Sequence, residues 1–324
     1  MKGQGFTVGI VLSMLTAYLL REGTLPGDES IWLRSGVFLV FLLQGWIIPT
    51  ERFRDQTVAF RHHGFVLAWN FLAIPLLLLP LFFVWPEAIS RDLLLGFLFL
   101  ALLPTTITSA VIFTGEAGGD TAAAITATAL SNFLGVFVVA LGASWLLATG
   151  AGASVAVIYL LVQIGTIVIL PLILGQFFRP FFNPANRPGV LSSVRRTSQG
   201  VVLFILFITF KDAFAAETFL VAGAGPFILA AGLSLLLLLL ISAVVWMTRA
   251  VASSLASQQI SAFFCASQKS LAVGAPFASL LLANRPDGPD PGLFLLPLLC
   301  YHILQLVFAG LLLPALRKWN SSDN

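Results

Sequence analysis

Ten separate stretches of this chain are apolar for about the length of a bilayer span, and few folds are open to a chain built that way. They run roughly over 5–20, 31–49, 64–85, 92–114, 121–148, 154–178, 199–216, 219–246, 260–284 and 293–316. Within hydrocarbon no water satisfies backbone amides, so such segments must close their hydrogen bonds internally. The expected fold class is therefore an all-α polytopic membrane protein with ten transmembrane helices. Composition agrees: hydrophobic residues are 58% and charged residues 10%, against about 45–50% and about 25% in soluble domains. Cys265 and Cys300 fall inside spans and read as small buried apolar residues, without a disulfide framework. No small-residue cleavage site follows the first run, so it reads as a retained helix.

Basic residues set the orientation. With the N-terminus in the cytoplasm, the inner loops and span ends hold Lys2, Arg52, Arg54, Arg61, Arg179, Arg187, Arg195, Arg196, Arg249, Arg317 and Lys318. The outer ones hold Arg21, Arg34, Arg91, Lys211 and Arg285. An even number of spans with both termini cytoplasmic satisfies this bias. Residues 1–178 then carry the first five-span repeat and the start of the second. Residues 179–198 form a cytoplasmic loop, and 199–324 hold the remainder, spans 7–10. Five spans per half invert the second half relative to the first, an arrangement common in secondary transporters. The fourth span of each half is the one interrupted by proline and polar residues, and paired broken spans point to a binding site.

Lys269 is the sharpest of these interruptions. An ionisable group in a span costs roughly 2.5–3.5 kcal/mol even on insertion scales, so it marks a functional position. Snorkelling is the alternative, but Lys269 lies about nine residues into its span. At about 1.5 Å per residue its ammonium would have to climb more than ~10 Å. Ser267, Gln268 and Ser270 flank it, and Pro276 reads as a helix breaker. In the fourth span Pro104 removes a backbone donor and frees carbonyls. Thr105, Thr106, Thr108, Ser109 and Thr114 add hydroxyls, the hard oxygen ligands a small cation prefers. Such hydroxyls also bond back to their own helix, or permit close packing. Thr128, Ser131 and Asn132 in the fifth span extend the polar set, and Ala122, Ala123, Ala124 and Ala127 let a helix approach. Glu116 and Asp120 read as solvated loop charges. Asn70, Gln44, Gln163, His302 and Gln305 read as interhelical hydrogen-bonding residues, with Asn70 and His302 also candidates for a substrate cavity.

No enzyme pattern is present: there is no G-x-S-x-G, HExxH, Walker loop or Cys/His metal spacing. The run PTTITSAVIFTGEAGGDTAAAITATALSNFLG resembles the paired fourth and fifth spans of the bile acid:sodium symporter superfamily, and CASQKSLAVGAP resembles its ninth. Tyr301–His302, LLLPALRKW and TFKDAF also fit, and the likeness covers nearly the whole chain. It is nearest to the SBF-like branch, which includes bacterial sodium-dependent transporters and the seventh member of vertebrate solute carrier family 10.

The resemblance implies a core domain (spans 3–5 and 8–10) and a panel domain (spans 1–2 and 6–7). The fourth and ninth spans break and cross near the midplane, with two sodium ions behind the crossing. Carried over residue by residue, Ser109, Thr128 and Gln268 keep sodium-ligand types, while Ala110 and Ala124 replace an asparagine and a serine. Phe264 stands where the family has a bridging glutamate, and Lys269 where it has an asparagine. That is a change of about two charges, and each unit pair at 4 Å is worth about 4 kcal/mol at an effective dielectric of about 20. The Lys269 ammonium is left either to occupy a vacated cation position or to release its proton as an ion or anionic solute arrives.

The expected function is secondary active transport of a small organic, anionic solute by ion-coupled symport and alternating access. Cation/proton exchange and a non-transporting membrane regulator are the alternatives. No cofactor is expected beyond Na+ or H+ as coupling ion. Expected partners are a small-molecule solute and the lipid bilayer, not nucleic acid, and the expected location is a bacterial inner membrane.

Overall fold

The computed structural model describes residues 4–48, 60–84, 90–147, 162, 165–182, 187–215, 223–282 and 288–322. Among these residues the chain is helical, without strands. Helices α1 (Gln4–Leu19) and α2 (Glu29–Ile47) come first. Asp28 caps α2 by accepting from the Ser30 N–H, and that bond holds its carboxylate below the usual range. Next come α3 (Phe60–Ala68), a π-helical turn (Trp69–Ala73), α4 (Ile74–Leu78) and α5 (Leu81–Val84). The expected fourth span is two helices, α6 (Arg91–Leu102) and α7 (Ile107–Glu116), followed by the unbroken α8 (Thr121–Leu147).

A second π turn (Gly165–Ile169) leads into α9 (Leu170–Phe178), which α10 (Pro188–Ala215) and α11 (Gly225–Thr248) follow. The expected ninth span is again two helices, α12 (Ala256–Ser267) and α13 (Leu271–Leu282), and α14 (Pro291–Ser322) follows. Among the described residues five helices are long and apolar enough to cross a membrane: those over 29–47, 121–146, 189–215, 225–251 and 291–321. Much of the sixth expected span, with Gln163, lies outside the described residues.

Two expectations are corrected. Helix α10 begins at Pro188, inside the stretch expected to be loop. Proline suits a first helical position because its missing N–H is unpaired there anyway, and the polar turns of Ser192–Ser198 carry the helix past its apolar part. Pro276 does not break the ninth span but sits within α13. The break falls earlier, at Gln268–Ser270, where backbone groups find partners on other helices.

Helices α1, α2, α9 and α10 pack on one another, while α3, α6, α7, α8, α11, α12 and α14 form a second group. Helix α13 lies against both, touching α2, α10 and α14. Close approach comes from small residues: a side chain at Gly135 or Gly142 of α8 would collide with Pro104 or Leu102. The end of α14 is clasped to the turn after α7 by Arg317, bonded to Glu116, and by Asn320 Nδ2, which donates to Gly118 O at 3.0 Å. Glu116 is thus a half-exposed ion-pair partner. Asp120 is a fastener: its carboxylate accepts from Ala123 N (2.9 Å) and Gln258 Nε2 (3.3 Å).

Candidate functional site

Four helix ends meet at one place. Helices α6 and α12 end there and α7 and α13 begin there, with Leu103–Thr106 and Gln268–Ser270 unwound between them. The two breaks are joined directly: Ser270 N donates to Pro104 O at 2.9 Å. Proline explains the first break, since Pro104 has no N–H to give Leu100 O, which accepts from Leu103 N instead. Thr106 then caps α7, accepting from Ser109 N at 3.2 Å.

Lys269 is 1% exposed, and all three of its amine protons have an acceptor. Its Nζ donates to Leu103 O (2.8 Å), Ala101 O (2.9 Å) and Asn70 O (3.2 Å). Each carbonyl is free for a local reason. Ala101 and Leu103 lie at the C-terminal end of α6, where carbonyls lose their helical partners. Asn70 lies in the π turn: Ile74 N–H bonds Trp69 O, and the next residue, Pro75, has no N–H to offer. Lys269 is therefore an interior amine and does not snorkel. Among the described ion pairs none involves it, so backbone dipoles and the negative ends of α6 and α12 balance its charge.

Gln305 of α14 clamps the same residue. Its Oε1 accepts from Lys269 N at 2.8 Å and its Nε2 donates to Lys269 O at 2.9 Å. His302 Nδ1 stands 3.0 Å from that Nε2, and Tyr301 Oη donates to Ser267 O at 2.7 Å. In the sequence Gln305 was only one of several glutamines in apolar runs. Its spacing of three from His302 on α14 is the one signal that marked it out.

The hydroxyl set is partly drawn together. Ser109 Oγ donates to Gln268 Oε1 at 2.7 Å and lies 2.6 Å from Thr106 Oγ1. Ser131 Oγ accepts from Thr105 N at 3.3 Å, and Asn132 Nδ2 donates to both Thr105 O (2.7 Å) and Thr128 O (2.8 Å). Helix α8 thus braces the first break. Thr128 Oγ1 turns away to Ile125 O of its own helix, and Ser267 Oγ likewise bonds Phe263 O. Ser270 Oγ caps α13 through Val273 N. Gln268 Nε2, Thr105 Oγ1 and Asn70 Oδ1 are buried without a hydrogen-bond partner. Phe264 is a buried aromatic stacked on Phe113, with centroids 5.8 Å apart.

Asn70 and His302, the candidates for a substrate cavity, are both buried and packed. Asn70 is fully buried, its Nδ2 tied to Val66 O and Cys265 O, and His302 packs edge-on against Phe6. A cleft of about 290 Å³ lies apart from them, between α2, α10 and α13. Asp28, Glu29 and Asp212 line it, and Thr209 and Ser279 bridge α10 and α13 at 2.7 Å. Lys211 pairs with Glu29 at 2.9 Å and with Asp212 at 3.4 Å.

Known proteins are similar to this sequence over nearly its full length. The zebrafish (Danio rerio) protein named "Sodium/bile acid cotransporter 7" is 30% identical, over 98% of this chain and 94% of its own. Its counterpart of the same name in Rattus norvegicus is 29% identical, over 97% and 92%. The Escherichia coli (strain K12) protein named "Putative symporter YfeH" is 29% identical, over 95% and 91%. The model of the SBF-like CPA transporter family matches residues 4–318, and the chain, with its two helices broken where they meet, belongs to that family.

Proposed function

We propose that the protein is a ten-span secondary transporter with two inverted repeats. It carries a small organic anion across a bacterial inner membrane by ion-coupled symport and alternating access, with both termini in the cytoplasm. The observation that carries this reading is the crossing itself. Two half-helix N-termini, at Ile107 and Leu271, face the same place, and their free N–H groups attract negative charge. Two half-helix C-termini face it from the other side and attract a cation. Buried polar atoms without partners beside the breaks, on Gln268, Thr105 and Asn70, are groups that an arriving ion or solute satisfies. The helices that hold the crossing act as the core, with α1, α2, α9 and α10 as the panel against which they move. Na+ is the coupling ion that the relatives' names favour, and Ser109 and Gln268 are its candidate ligands, with Thr128 behind them.

Uptake into vesicles of reconstituted protein tests this, with a bile acid under an inward sodium gradient as the first probe. Pro104→Ala lets the fourth span close as one helix, and Gln268→Ala removes the partner of Ser109. Each is expected to lower the initial rate by about tenfold or more, a loss of roughly 1.4 kcal/mol of site energy. Normal uptake in both variants removes the crossing from the transport path.

Cation/proton exchange is a second reading, favoured by an amine held on carbonyls without a carboxylate. A pH-sensitive dye inside the vesicles distinguishes it: sodium addition shifts internal pH without solute. Silence in both assays, together with a stable protein partner, favours a regulator with this fold.

A further inference from the structure

We infer that the pocket holding the Lys269 amine is a binding site for a small monovalent cation, which the wild-type chain fills with its own side chain. Three observations carry this. The oxygens of Ala101, Leu103 and Asn70 converge on one point from two elements, and each was freed from its own helix by a proline or a helix end. All three are neutral backbone acceptors, so the pocket's preference for a cation is built into the backbone and not into a side-chain charge. The backbone of Lys269 is fixed independently, by Gln305 at both its N–H and its carbonyl and through Ser270 N on Pro104 O. Removing the side chain therefore leaves the oxygens in place and empties the pocket.

Geometry also names the class of ligand. The nitrogen sits 2.8–3.2 Å from its three acceptors, hydrogen-bonding distance and longer than the contacts of about 2.3–2.6 Å that a hard ion such as calcium takes. Ammonium and methylammonium match this spacing and can donate along the same three directions. Sodium has to draw the oxygens inward, and tetramethylammonium has no proton to donate. The inference deepens the reading of the crossing as a transport site. Because its test reads stability, a silent transport assay and a cation-blind pocket are separate outcomes.

The experiment uses full-length Lys269→Ala in detergent, melted against ammonium, methylammonium, sodium and tetramethylammonium chloride at constant ionic strength. Ammonium and methylammonium are expected to raise its melting temperature by about 5 °C at saturation, because a ligand bound only by the native state stabilises it. Tetramethylammonium is expected to leave it unchanged, and wild type, whose pocket is filled, is expected to gain nothing from ammonium or methylammonium. Lys269→Gln, whose neutral amide reaches the same carbonyls, should also be indifferent. Should Lys269→Ala prove too unstable to melt, its yield as a single size-exclusion peak is compared after solubilisation with and without methylammonium. Recovery of the peak supports the inference. Equal yields, or melting curves of Lys269→Ala that coincide in all four salts, overturn it.

Discussion

Replacing Gln305 by leucine is expected to cost about 4 kcal/mol of stability and to abolish transport. The side chain is 1% exposed and serves the two backbone groups of Lys269 at once. Leucine matches its bulk but leaves that N–H and that carbonyl buried without partners. Each orphaned group costs about 1–3 kcal/mol, more than the net worth of an ordinary hydrogen bond. In bilayer surroundings water does not replace them. The unwound turn then loses the position that aims the amine at its carbonyls. Gln305→Glu should be milder in stability, since a carboxylate still accepts from Lys269 N but cannot donate to Lys269 O. The comparison is Gln44→Leu. Gln44 also lies in an apolar span, yet its side chain makes no hydrogen bond recorded among the described residues, so less than 1 kcal/mol is expected. Melting temperatures and initial uptake rates on the three variants decide the matter. Equal losses for Gln305→Leu and Gln44→Leu would show that the clamp holds nothing.

The two glutamines show what the sequence made legible and what it did not. Apolar length made the helical, membrane-embedded character legible, because bilayer thickness and the demand for internal hydrogen bonds act on every residue of a run, and five helices among the described residues are long and apolar enough to cross a membrane. Pro104 announced the first break for the same local reason, a missing donor. The ninth span was harder. Pro276 looked like the breaker, yet the helix accommodates it, and unwinding occurs at Gln268–Ser270 because Gln305 and Pro104 O, both distant in sequence, replace the lost helical bonds. Lys269 was conspicuous as a charge among apolar neighbours. Its acceptors were not, since backbone carbonyls carry no side-chain signature. The hydroxyls divided in a way that residue type does not reveal. Ser109, Thr106 and Ser131 reach the breaks, whereas Thr128 and Ser267 satisfy themselves on the preceding turn.

Gly135→Ala is the second large effect expected, and it separates a site that is positioned from one that is merely composed of the right residues. Gly135 lies on α8 against the first break, and an added Cβ would fall 2.6 and 2.7 Å from two ring carbons of Pro104. A flexible side chain could swing aside from such a contact. A proline ring is fixed to its own backbone, so either α8 must retreat or the break must move. Overpacking of this kind costs about 1–3 kcal/mol, and the rigid neighbour puts this case near 3. Retreat of α8 also strains the bonds by which Asn132 and Ser131 hold Thr105. The expected result is a melting temperature lower by roughly 6–12 °C, with uptake lost even below that temperature. Gly200→Ala and Gly232→Ala are the controls. Both glycines are interior to helices, and nothing lies within 4 Å of an added Cβ. Alanine there should stabilise by about 0.5–1 kcal/mol, by restricting the unfolded chain and favouring the helix. Were Gly135→Ala to behave like these two, α8 would not be what holds the break in place. The crossing would then owe its geometry to Gln305 and to the Ser270–Pro104 bond alone.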